Sequence, residues 1–382
     1  MAKPRFYFDH AATTPLLPEV RNYLLEISEK YYGNPSSTHA EGRASRSFIE
    51  ESRKSIAKNI GANPSEIFFT ASGSESNNLI LKSAAETLGV KRVISTKIEH
   101  SCNLQCFEWL QKHHMAEIQF LDVDIHGRIS LDQLESLLKA SENKTLVSLM
   151  HVNNEIGTIA DLQQISNLCR QYNALFHSDT VQGMGFSTYD LREIHIDFLS
   201  GSAHKFYAPK GCAFVYIKNQ HILKPIIHGG AQERNMRAGT ENIYGIGTMS
   251  FALNYCTENM AVRLTQLHEL KSRFIDGISK IVPGLEFNSP IENCSPKIVN
   301  IQFPWFEGNE LMNILFDIEG LSVSAGSACS SGTEKGSHVI STIRPDHKGK
   351  AVRFSFAHFN TLDEIDQSLE IISKCLRGKL SS

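Results

Sequence analysis

The chain has 382 residues, 41% hydrophobic and 21% charged, an ordinary globular composition long enough for two domains, or a large domain with a smaller one attached. A formal net charge of -3 gives no global pull toward nucleic acid or anionic lipid. No apolar run approaches the roughly 20 residues that a bilayer crossing needs, so no membrane partner is expected.

In chain order, Met1-Ala2-Lys3-Pro4-Arg5 runs straight into a strand-like Phe6-Tyr7-Phe8, with neither a signal-peptide core nor an Arg/Ser-rich transit segment. A cytoplasmic location is the expectation. Ser45 to Ile60 has the period of an amphipathic helix, with Ile49, Ile56 and Ile60 on one side. From about residue 65, short apolar runs alternate with helical stretches. The predicted strands are Ile67–Thr70, Arg92–Ser95, Ile118–Leu121, Leu146–Met150, Ala174–His177, Ile196–Leu199 and Cys212–Ile217. Runs that are apolar on both faces, separated by helices, predict an α/β fold with a mostly parallel, seven-stranded sheet covered on both sides. A long helix from Ala261 to Ile281 follows. Beyond it a strand–helix–strand–loop–strand–helix order predicts a smaller C-terminal α/β domain. Residues 15–255 form the expected large domain, and 1–14 with 256–382 the small one.

Ligands of open α/β sheets bind beyond the carboxyl ends of the strands, so the residues just after each strand carry the functional reading. Thr70-Ala71-Ser72-Gly73-Ser74-Glu75 opens a helix with small residues, which suits an anion at the helix N-terminus or a plain N-cap. It lacks the Gly-Lys-Ser/Thr of a Walker loop and the glycines of a dinucleotide turn, which disfavours a nicotinamide dehydrogenase. His100 is either a buried hydrogen-bonded residue or a flat surface for a planar ring. Asn154 can orient a polar ligand or close a turn. Asp179 can pair with a protonated ring nitrogen or cap a helix, and Gln182 can meet a ring oxygen. Lys205, in Gly201-Ser202-Ala203-His204-Lys205, is a surface lysine or the amine that holds a carbonyl cofactor as an imine. Each residue has a bland reading. Together, at successive strand ends, they describe a site for a phosphorylated aromatic aldehyde, and pyridoxal 5'-phosphate fits.

Six segments carry a resemblance. They are Phe8-Asp9-His10-Ala11-Ala12-Thr13-Thr14-Pro15, Gly33-Asn34-Pro35-Ser36-Ser37, Asn153-Asn154-Glu155-Ile156-Gly157, Ser202-Ala203-His204-Lys205, Glu233-Arg234-Asn235-Met236-Arg237-Ala238-Gly239-Thr240 and Gly326-Ser327-Ala328-Cys329. In this order they closely resemble the cysteine desulfurases of the NifS/IscS type, in the class-V aminotransferase family. The resemblance implies a fold-type-I pyridoxal-phosphate enzyme acting as a homodimer. It would convert L-cysteine to L-alanine and pass sulfur, as a persulfide, to an acceptor protein that the sequence does not identify, as in iron–sulfur cluster assembly. It implies Lys205 as the Schiff-base lysine, Asp179 as the pyridinium partner, Gln182 at the ring hydroxyl and His100 stacked on the ring and handling protons. Ser74, Glu75, Ser202 and His204 would hold the phosphate, with Thr240 contributed by the other subunit. Asn154 and Arg353 would fix the substrate carboxylate, a role that also suits a guanidinium's bidentate geometry.

Eight cysteines show no CxxC pair, and no metal site is expected. Most read as small buried hydrophobes. Cys329 differs, lying in the small-residue stretch Ser324-Ala325-Gly326-Ser327-Ala328-Cys329-Ser330-Ser331-Gly332, where a thiol can be exposed and sample a thiolate. The resemblance makes it the sulfur acceptor, on a long loop. Two departures stand out. His358 stands where relatives usually carry arginine, and the chain stops at Ser382 without the extension used for scaffold docking, which leaves scaffold binding in doubt. Competing readings are another enzyme of the same fold, such as an aminotransferase or β-lyase, and a catalytically silent binding protein.

Overall fold

The computed structural model describes residues 4–282, 284–303, 312–325, 336–346 and 349–376. Cys329 lies outside the described residues. The chain opens with β1 (Phe6–Tyr7), α1 (Pro18–Lys30) and α2 (Ala40–Asn59). An alternation follows: β2 (Ile67–Thr70), α3 (Gly73–Thr87), β3 (Arg92–Thr96), α4 (Ser101–Lys112), β4 (Glu117–Leu121), α5 (Leu131–Lys139), β5 (Thr145–Ser148), α6 (Leu162–Gln171), β6 (Leu175–Asp179), β7 (Phe198–Ser202) and β8 (Ala213–Ile217). The remainder comprises α7 (Ile243–Glu258), α8 (Met260–Ile281), β9 (Glu286–Phe287), β10 (Ile298–Phe303), α9 (Met312–Ile318), β11 (Leu321–Ser322), α10 (His338–Ile343), β12 (Lys350–Ser355) and α11 (Leu362–Leu376).

All seven predicted strands enter one sheet, in the order β2-β8-β7-β6-β5-β3-β4. The neighbours from β7 to β4 run parallel, and β8 is antiparallel to both β2 and β7. Period-2 alternation divides the strand side chains between two cores. Val93, Leu146, Phe198 and Val215 pack with Leu79 and Ile80 of α3 and Phe107 of α4. Their chain neighbours Ile94, Val147, Leu199 and Phe214 face Leu134 of α5, Ile165 of α6 and Met249 of α7. Helices on both faces leave the strand ends as the place where polar groups can meet a ligand.

Several boundaries differ from the sequence expectation, and the sixth strand matters most. It covers Phe198–Ser202 rather than Ile196–Leu199, and all five of its residues are buried. Ser200, Gly201 and Ser202 read as loop by composition, yet Gly201 is required in the strand. A Cβ there would come within 2.4 Å of Phe214 Cε1 on β8. Helix α2 begins at Ala40, a turn before Ser45, because His39 Nδ1 accepts from the Gly42 N–H at 3.2 Å. Helix α7 has no polar stripe to betray it. It lies against α2, where a Cβ on Gly247 would meet the Phe48 ring at 2.4 Å.

Strands β12, β10 and β9 form a second, antiparallel sheet. The N-terminal segment joins this part of the molecule: β1 pairs in parallel with β11, and Asp9 bridges Ser355 of β12. Residues from the two ends of the chain, such as Ala11 and Arg353, are thereby brought to the carboxyl ends of the large sheet's strands.

Two tests follow from the packing. Gly201→Ala should destabilise the fold by about 1–3 kcal/mol in chemical denaturation, the usual penalty for overpacking a core. His177, fully buried on β6 with Nδ1 2.9 Å from Ser148 Oγ, is lowered from 6.5 to about 3 by burial. Its folded pKa lies below its unfolded one, so its contribution is intact above pH 6.5 and is lost as pH falls toward 3. His177→Gln should therefore flatten the acid limb of stability against pH by about one proton, or ~1.4 kcal/mol per pH unit.

Candidate active site

The carboxyl ends of β6 and β7, with the N-termini of α3 and α4, surround a cavity of about 200 Å³. Ser74, His100, Asn154, Asp179, Gln182, Ser202, His204, Lys205 and Arg353 all line it. They come from segments separated by as many as 279 positions, and the sheet brings them together.

Lys205 sits in a short turn directly after β7. Its Nζ donates to the Ala11 and Ala12 carbonyls, each at 2.7 Å. Gln182 Nε2 donates to the same Ala11 carbonyl at 2.8 Å. Gln182 Oε1 is buried and has no hydrogen-bond partner among the described residues. Asp179 ends β6, and no helix begins there. Its Oδ1 accepts from the Val181 N–H at 3.0 Å, and its Oδ2 from Asn77 Nδ2 at 2.7 Å. Asp179 as a residue is 5% exposed.

His100 caps α4, its Nδ1 accepting from the Cys102 N–H at 3.2 Å. This bond leaves the proton of the neutral ring on Nε2. Burial lowers its pKa, Lys205 and His338 add to that, and Asp179 opposes it. The balance favours the uncharged ring. His204 is likewise lowered to about 4, by burial first and then by Lys205, Lys210 and Lys297. Its Nδ1 lies 3.1 Å from Thr13 Oγ1.

At one end of the cavity Ser72 caps α3, accepting from the Glu75 N–H at 3.1 Å. Gly73 permits close approach, since a Cβ there would sit 2.8 Å from Val181 Cγ2. The 15-residue helix behind it directs free N–H groups and its positive dipole end toward the cavity. At the other side Arg353, 1% exposed, donates from Nη1 to the Asn154 carbonyl at 2.8 Å and from Nη2 to Asp9 Oδ1 at 2.7 Å. Its Nε has no partner among the described residues. The site thus offers an amine, a carboxylate, an amide oxygen without a partner and an anion-binding helix end, with a guanidinium opposite. This donor set suits a planar phosphorylated aldehyde together with a carboxylate-bearing molecule.

Two predicted residues stand apart. Glu75 does not line the cavity: its Oε2 accepts from the Ala71 N–H at 2.9 Å and its Oε1 pairs with Arg237 Nε at 3.0 Å. A carboxylate so engaged, and itself negative, is no phosphate ligand. Thr240 is exposed in a separate cleft with Arg237 and Glu233. Sequence reasoning missed Asn77, Asp9 and Cys102. Asn77 stands one helical turn beyond Ser74 in the segment that opens α3, the signal that could have singled it out. Cys102 faces the cavity as a thiol, raised to about 12 by burial and by Asp179.

Residues 6–367 match the Aminotransferase class-V family. The chain is 39% identical over 378 residues to the cysteine desulfurase IscS of Dictyoglomus turgidum, covering 98% of this chain and 95% of that protein. Among solved structures, a NifS-like protein superposes with a TM-score of 0.90 at 32% identity, covering 98% of this chain and all of that one (100%). The structure of SspA in complex with cysteine superposes at 0.79 with 28% identity, covering 94% of this chain and 100% of that one. On this evidence the chain belongs to the class-V aminotransferases, among the cysteine desulfurases of the NifS/IscS type.

Proposed function

We propose that this chain is a pyridoxal-phosphate-dependent cysteine desulfurase, converting L-cysteine to L-alanine and carrying the sulfur as a persulfide on Cys329 for delivery to an acceptor protein. The observation that carries this reading is the convergence of Lys205, Asp179, Gln182 and Arg353 on one cavity. The cysteine-bound SspA neighbour supports L-cysteine as substrate.

Lys205 would hold the cofactor's aldehyde carbon, Asp179 the ring nitrogen in its protonated form, and Gln182 the ring hydroxyl. Ser74, Ser202 and His204 would meet the phosphate at the α3 N-terminus, while Glu75, its N–H donated to Ser72 Oγ and its carboxylate held by the Ala71 N–H and Arg237, would support that turn from behind. Bound pyridoxal phosphate supplies an aromatic sink for the electron pair left on the substrate's Cα. Arg353 and Asn154 orient the substrate by its carboxylate. The Lys205 amine would take the substrate's Cα proton and return it to Cα as alanine forms. His100, whose uncharged form carries its proton on Nε2, would stack on the cofactor and exchange a proton with the reacting groups. The Cys329 thiolate attacks the substrate sulfur. The Cβ–Sγ bond breaks, its electrons stay on the alanine skeleton, which gains a proton at Cβ, and the sulfur remains on Cys329. Thr240, displayed in its own exposed cleft, would complete the phosphate site of a second copy in a homodimer.

Lys205→Ala should lose turnover together with any borohydride-reducible attachment of the cofactor, and a reducible covalent cofactor in that variant would overturn the assignment. In Cys329→Ser the cofactor's visible absorbance should persist while alanine formation from cysteine stops. Mass spectrometry of the wild-type Cys329 peptide after cysteine treatment should show one added sulfur atom. Full turnover in the serine variant, or pyruvate in place of alanine, would count against the reading.

A further inference from the structure

A second cavity, of about 200 Å³, lies beside the first. It is formed by the end of β3, residues 127–131, the end of β5 and residues 158–165. Its walls are apolar, built from Ile98, Ile129, Leu131, Leu149 and Ile165. Among the buried polar residues of the lining, Asn153 donates to the Ile98 carbonyl at 2.9 Å and Thr158 to the His126 carbonyl, so both are already engaged, and two further polar side chains bear on a guest. Thr96 is 3% exposed, and its buried Oγ1 has no hydrogen-bond partner among the described residues. Glu99, also fully enclosed, accepts from the Met150 N–H at 2.7 Å and from Asn103 Nδ2 at 3.0 Å. Burial raises its pKa to about 8, so it carries a proton at neutral pH. Met150 lines both cavities.

These features select one kind of guest. Apolar cavities of this order take small hydrophobic molecules and hold water poorly. A buried hydroxyl without a partner is costly, and a guest that supplies one hydrogen bond removes that cost. Charged guests are disfavoured. The only cationic side chain in the lining, Arg128, is exposed at the rim, and Asp161 there is occupied by the Gln164 N–H at 3.0 Å.

We propose that this cavity binds one small neutral molecule with an apolar body and a single hydroxyl, and that Met150 transmits its occupancy to the Lys205 cavity. Thr96 Oγ1 recognises the hydroxyl. Displacement of the Met150 side chain changes the space on its other side, and the Met150–Glu99 bond carries the change to the segment holding His100.

Cyclohexanol and cyclohexane are suitable probes, titrated against the full chain by ligand-observed NMR. Cyclohexanol should bind saturably, and about tenfold more weakly to Thr96→Val, while cyclohexane should bind both proteins alike. Ala160→Leu and Ile129→Phe each fill the cavity from a half-buried position, and both should abolish binding of either probe. Absence of saturable binding to the wild type, or binding retained in both filled variants, overturns the site. Equal cyclohexanol affinity for the wild type and Thr96→Val overturns the assigned ligand class. Saturating cyclohexanol should also shift the affinity of the apoprotein for pyridoxal phosphate, followed by absorbance, in the wild type but not in Ala160→Leu. An unchanged affinity overturns the coupling through Met150. Failure of pyridoxal phosphate to bind at all would count against the proposed function instead, and the cyclohexanol titration would still decide the cavity.

Discussion

A single buried carboxylate organises the electrostatics of this protein. Asp179 stands at the end of a central strand, and among the described residues its hydrogen bonds come from an amide side chain and a backbone N–H rather than from a cation. Its charge is felt across the site. Burial holds Glu99, Cys102 and Tyr189 toward their protonated forms and Asp179 adds to it in each, while on His100 burial and Lys205 oppose the proton that Asp179 favours. A negative charge held this way has a large incentive to meet a cationic ring nitrogen, because low-dielectric surroundings strengthen such a pairing. Burial holds Glu99 and Cys102 protonated, and Asp9 is paired with Arg353, which leaves the Asp179 carboxylate to meet a ligand in the cavity.

The sheet was legible in the sequence because its strands alternate apolar residues toward two cores, and helices at regular intervals bury both faces. Phe198-Leu199 and Phe214-Val215 each send one side chain to each core, a pattern visible without any structure. The register of the sixth strand was not legible. Serine and glycine score as loop formers, and only the Phe214 ring against Gly201 explains why small residues are needed inside a strand. Helix α7 escaped for the opposite reason: it is mostly apolar and mostly buried, so no clear period distinguishes it.

The candidate site follows the same division. Residues placed immediately after strands, such as Asp179, Gln182 and Lys205, could be named because topology gives strand ends their meaning. Partners chosen by long-range folding could not. Asp9 earns its place only through Arg353, and Asn77 only through Asp179. Glu75 shows how proximity in sequence misleads: the residue beside an anion-binding loop has its own charge already spent on Arg237.

The contact between Asp9 and Arg353 spans 344 positions of the chain. The carbonyls of Ala11 and Ala12, next to Asp9, also engage Lys205 and Gln182. During synthesis the first of these segments leaves the ribosome long before the last, and it must wait for its partner. The cavity is therefore completed only when nearly the whole chain has emerged. Loading of a small molecule into it must follow the emergence of Arg353, and a chain terminated before that residue lacks a finished pocket however well its large sheet has formed.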